Sequence, residues 1–208
     1  MTWELWIAYV IATTILCVIP GPTVLLVVGY ALSAGRRSAW WTVPGVTLGD
    51  AVAMTGSLTG LGALLAASAD AFTVLKWIGA AYLVYLGIRM WRAEPTVGEI
   101  ATDGAGRARW SLTAHAFTVT ALNPKGIAFF IAFLPQFISP AAAVTPQLFV
   151  LGATFLAVAT VNAVLYAFLA GGMRERLRRP RLLRAINRTG GSLLIGAGIM
   201  TAALRRTS

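Results

Sequence analysis

The stretch Ile15-Leu-Cys-Val-Ile-Pro-Gly-Pro-Thr-Val-Leu-Leu26 decides how this chain folds. It puts Pro20, Gly21 and Pro22 in the middle of an apolar run from residue 3 to residue 34. Proline has no N–H to give, and its ring clashes with the carbonyl four residues back. Glycine loosens the chain at the same spot. Two prolines around a glycine therefore break a helix near its middle and free backbone carbonyls and amides. In a bilayer these groups need protein partners or a wet cavity, because hydrocarbon supplies neither. A plain packing kink is the alternative reading of one such break alone.

The composition makes the bilayer the natural solvent. The 208 residues are 58% hydrophobic and only 12% charged, whereas a soluble domain carries about 45–50% apolar and about 25% charged residues. The apolar residues fall into stretches at roughly 3–34, 40–69, 71–91, 111–138, 147–172 and 183–204. A crossing needs about 20 residues, so the long first, second and fourth stretches tilt or break. The sixth is weakest: Asn187 and Arg188 leave only about 16 clean residues, and five spans is the alternative. No basic start or short apolar core marks a cleavable leader.

The net charge of +10 is concentrated in gaps between apolar runs. Arg36 and Arg37 fill the first gap; Arg89, Arg92, Arg107 and Arg109 the third; Arg174, Arg176, Arg178, Arg179, Arg181, Arg184 and Arg188 the fifth. Lys/Arg excess marks the cytoplasmic side, so six spans with both termini extracytoplasmic is the expected topology. Arg205 and Arg206 are discordant. This pattern sets topology rather than binding nucleic acid. The one polar linker, Ala93–Trp110, divides the chain into 1–92, a cytoplasmic connection 93–110, and 111–208.

The two halves repeat. Gly79, Leu83 and Gly87 in the third stretch match Gly190, Leu194 and Gly198 in the sixth. Val46, Asp50, Ala51 and Val52 in the second match Val158, Asn162, Ala163 and Val164 in the fifth. The break at Pro20–Pro22 matches Asn123-Pro124-Lys125 in the fourth. An odd number of spans per half turns the second half upside down, as in secondary transporters. The expected fold is all-α and integral to the membrane: six transmembrane helices as two inverted three-helix repeats, with the first and fourth broken.

Paired breaks point to a transport site, and the half-helix N-termini there favour an anionic group such as a carboxylate. Asp50 is the one acid well inside a span. A charged side chain at that depth costs at least ~2.5–3.5 kcal/mol, and a protonated carboxyl is far cheaper. It suits proton coupling or a substrate amine; a structural acid paired with a base is the plainer reading. Lys125 pairs with Asp50, attracts a carboxylate, or snorkels to water. Asn162 and Thr160 bond across helices or touch ligand. Gly45, Gly49, Gly56 and Gly60 let helices approach closely, with contact in a homodimer as the second option. Lone Cys17 and His115 read as structural, so no metal site, cofactor or disulfide is expected, and no nucleophile–base pair marks an enzyme. No P-loop is present.

Pro20–Pro22, Gly49-Asp50, the K-x2-G-x2-Y-L-x3-L-G pattern from Lys76 to Gly87, Asn123–Lys125 and Pro135–Phe137 together resemble the LysE/RhtB family of amino-acid exporters. The likeness covers almost the whole chain in order. It implies a bacterial inner-membrane secondary transporter, exporting amino acids or their derivatives by proton gradient or membrane potential. It also implies that Pro20, Gly21, Pro22, Asp50, Asn123, Pro124 and Lys125 belong to the site. A channel, or an exporter of another small solute or ion, is the competing reading.

Overall fold

The computed structural model describes residues 1–67, 69–93, 108–139, 142–177 and 180–203. Among them every regular element is helical. The arginines at 107, 178, 179, 205 and 206 and most of the 93–110 linker lie outside the described residues. So do the side chains of Lys76, Arg174 and Arg176.

Helix α1 (Trp3–Val18) begins at Thr2, whose hydroxyl accepts from the Leu5 amide at 3.4 Å. It stops before Pro20. Helix α2 (Pro22–Ser33) restarts with Pro22 in its first turn, where a missing N–H costs nothing. The axis bends by 54° between them. Gly35, at φ 81°, turns the chain out of α2 through a short 3₁₀ turn over Arg36–Ser38; a positive φ is open to glycine without steric cost. Helices α3 (Ala39–Ala67) and α4 (Ala69–Arg92) follow.

Helix α5 (Arg109–Ala121) ends at the second break. Helix α6 (Pro124–Ala128) restarts with Asn123 as its cap, Oδ1 accepting from the Lys125 amide at 3.1 Å. Here the sequence foresaw a break but not its sequel: α6 passes into a π-helical turn over Phe129–Phe133 and a 3₁₀ turn over Leu134–Phe137. Helices α7 (Val144–Leu177) and α8 (Pro180–Ala203) complete the bundle.

Two runs among the described residues are long and apolar enough to cross a membrane, Arg109–Phe137 and Val144–Ala170; the bent pair α1–α2 makes a third if taken as one span. The surface agrees. Ile7, Ile11, Ile15 and Val18 lie exposed along one side of α1, while Tyr9, Thr13 and Leu16 are buried on the other. That stripe of branched apolar side chains faces outward at helical spacing, which suits lipid rather than water.

Close backbone contacts tie the bundle together. A methyl at Gly49 would lie 2.7 Å from the Phe117 carbonyl oxygen on α5, and one at Gly87 would lie 2.6 Å from the Gly191 carbonyl oxygen on α8. Gly198 meets the Ala80 carbonyl of α4 in the same way, at 2.7 Å. Gly56 and Gly60 meet nothing within 4 Å. The packing role read for all four glycines of α3 therefore applies, within this chain, to Gly45 and Gly49.

Candidate substrate pocket

A helix that stops leaves its last carbonyls without partners. At the end of α1 each of these carbonyls is accounted for. Ile15 O accepts from the Ile19 amide at 3.2 Å. Lys125 Nζ donates to Leu16 O at 3.0 Å and to Ile19 O at 2.8 Å. Asn162 Nδ2 donates to Cys17 O at 2.9 Å, and Tyr166 Oη to Val18 O at 2.7 Å. The side-chain donors come from α6 and α7, so the C-terminal half of the chain completes a helix of the N-terminal half. A cation at a helix C-terminus is also favoured by the helix dipole.

The start of α2 is treated differently. Gly21 provides no side-chain cap. Thr23 Oγ1 lies 3.3 Å from Thr120 Oγ1 and accepts from Asn123 Nδ2 at 3.1 Å, joining the two breaks directly. A side chain at Gly21 would press on Lys125, whose Nζ lies 3.3 Å from the position a Cβ would take.

Asp50, Asn123, Lys125 and Asn162 line one small cavity of about 50 Å³, together with Cys17 and Thr23. A water needs about 10–15 Å³ by this measure, so a few waters fit. Asp50 is 8% exposed, and among the described residues its carboxylate has no hydrogen bond and no ion pair. The Lys125–Asp50 pair considered from sequence does not form; the ammonium is held by the α1 carbonyls instead, and it does not snorkel. A second cavity of about 460 Å³ shares the Asn123 and Lys125 walls and is bounded by Pro20, Gly21, Pro22 and Pro124, with Arg89 and Asn187 beyond. All eight residues singled out from sequence thus lie around two adjoining spaces.

Sequence reasoning missed Tyr166, Thr23 and Thr120. Tyr166 stands one helical turn after Asn162, the i,i+4 signal that could have found it. His115 bonds the Tyr30 hydroxyl at 2.7 Å, away from the pocket, and Thr160 bonds Thr47 across helices at 2.8 Å. No group of three or more metal-ligating side chains occurs among the described residues.

An all-α bundle with an apolar exterior and polar side chains gathered at two helix breaks fits a multi-pass membrane protein. The model of the LysE type translocator family matches residues 14–204, and the chain belongs to that family, placing it in the inner membrane. It is 34% identical over 205 residues to the homoserine/homoserine lactone efflux protein of Salmonella typhi, covering 99% of each chain. An uncharacterized membrane protein of Vibrio cholerae is 34% identical over 202 residues, covering 97% of this chain and 98% of its own. The leucine efflux protein of Klebsiella pneumoniae is 26% identical over 202 residues, covering 96% and 95%. No solved structure matches the chain.

Proposed function

We propose that the chain exports amino acids or amino-acid derivatives through the pocket at the two breaks, with inward proton movement driving the cycle. The carrying observation is the unequal treatment of the two helix ends. The carbonyls of α1 are occupied by Lys125, Asn162 and Tyr166, whereas the start of α2 lacks a side-chain cap and Asp50 has no hydrogen bond or ion pair among the described residues. A zwitterion matches what remains. Its carboxylate suits the amides at the start of α2 and the nearby Lys125 ammonium, and its ammonium suits Asp50. An empty site leaves a buried carboxylate with no direct ion pair at membrane depth, which is costly; a proton or a substrate ammonium relieves it, and exchanging one for the other couples the two fluxes. The homoserine and leucine efflux relatives support this substrate class.

The architecture proposed for this cycle is six spans in two inverted halves, 1–92 and 111–208. It is supported by the Gly87–Gly191 and Gly198–Ala80 contacts, which become one contact seen twice under the offset that aligns the two glycine motifs. The Thr47–Thr160 bond joins the second span to its counterpart at nearly equivalent positions. Arg36, Arg37, Arg89, Arg92, Arg109 and Arg181 then mark the cytoplasmic end, with residues 93–110 as a cytoplasmic connection and both termini outside. The larger cavity, with Arg89 at its edge, becomes the loading side.

The test is counterflow of a labelled amino-acid panel, including homoserine and leucine, in proteoliposomes of the purified protein. Saturable exchange, with net efflux that stops when the proton gradient is collapsed, is expected. No exchange across the whole panel overturns the reading.

A further inference from the structure

The hydroxyls of Tyr9 and Thr13 are sealed inside the bundle, each residue at 0% exposure; they neighbour one another, yet neither reaches full hydrogen-bond geometry with a partner among the described residues. Buried hydroxyls are nearly always partnered, because an unmet one forfeits its bonds to water. Two on successive turns of one helix need a reason. Tyr9, Thr13 and Cys17 recur every fourth residue and so share a face of α1, and Cys17 is a wall of the small pocket. A polar line therefore runs from the pocket toward the N-terminal end of α1.

Aromatic rings close that line. The Tyr9 ring meets Phe137 edge-on at 5.1 Å and lies 6.2 Å from Phe129. Phe129 lies 5.8 Å from Phe155, itself a wall of the pocket. Phe129 begins the π-helical turn that continues from α6. Such turns concentrate at functional sites, and recovering α geometry would swing the residues that follow by roughly 100°, one residue's step around the helix.

We propose that this aromatic cluster is the outward gate of the translocation path, and that Thr13 and Tyr9 line the path when it opens. Water or the passing substrate then gives the two hydroxyls the partners they lack in the closed bundle. The inference rests on the export reading and on an extracytoplasmic N-terminus.

Thr13→Val keeps the shape and removes one orphan hydroxyl. It should raise the melting temperature of the closed protein while slowing efflux severalfold; losing a hydroxyl that served the fold alone would lower the melting temperature, and unchanged efflux overturns the proposal. Thiol labelling decides any mixed result. In the full chain, Thr13→Cys is treated from the extracytoplasmic face with a membrane-impermeant thiol reagent, with Ile11→Cys on the exposed side of α1 as reference, and the site of labelling is read by mass spectrometry. Because reaction needs a solvated thiolate, position 13 should label roughly tenfold faster than position 11. Equal or slower labelling at 13 overturns the gate. Fast labelling while no amino acid moves keeps the gate and removes the amino-acid reading; slow labelling with efflux intact does the opposite.

Discussion

Lys125 Nζ donates to the Ile19 carbonyl oxygen at 2.8 Å across 106 positions of sequence. One side chain of the second half thereby closes the end of the first helix, and the same ammonium borders both cavities. Fold and site share this contact, which fixes what its loss should do.

Lys125→Met removes the donor to two carbonyls in the bundle interior. Leaving such groups unmet costs about 1–3 kcal/mol, so the variant should melt lower in detergent and lose efflux. An unchanged melting curve would refute the capping role, whatever happens to transport.

Asp50→Asn should behave in the opposite way. No hydrogen bond or ion pair of the described structure is lost, so melting should hold or improve. Efflux driven by a proton gradient should vanish. If the Asp50→Asn variant exports at the wild-type rate and still stops when the gradient is collapsed, Asp50 is removed from coupling.

Tyr166→Phe deletes the single bond to Val18 O and keeps the ring. A stability loss of about 0.5–1.5 kcal/mol is expected from one neutral hydrogen bond, measured by thermal or denaturant unfolding in detergent. Tyr166 is exposed at its edge, so no loss at all would mean that lipid or water takes over the carbonyl.

The glycines of α3 should separate into two kinds. Gly49→Val drives methyl groups into the α5 backbone, and overpacking of this type typically costs about 1–3 kcal/mol. Gly56→Ala meets open space and should stabilise the helix by about 0.5–1 kcal/mol. Melting temperatures of the pair check the contrast; equal losses would point to a second molecule packed over Gly56.

Fusion of a periplasm-dependent reporter enzyme to the C-terminus should give an active reporter, and a fusion within residues 94–107 an inactive one. The reverse pattern would turn the proposed orientation over.

Much of this was legible in the chain itself. Membrane residence follows from composition, because apolar content on this scale has nowhere else to go. The breaks at Pro20–Pro22 and Asn123–Pro124 follow from proline's missing N–H, a property of the residue that needs no neighbour. Asp50 stands out because an acid amid apolar residues is visible in one dimension.

Other features depended on distance in space. Sequence leaves Lys125 three fates; the bundle brings its ammonium to the end of α1 and away from an ion pair with Asp50. Tyr166 looked like one aromatic among many until its hydroxyl met Val18 O, and Tyr9 and Thr13 gained meaning only because the fold buries their hydroxyls without full hydrogen-bond geometry to any described residue. A helix break is written locally, since it concerns the backbone's own hydrogen bonds. Which donor answers a freed carbonyl is decided by side chains a hundred residues away, and only the packed structure brings them within 3 Å.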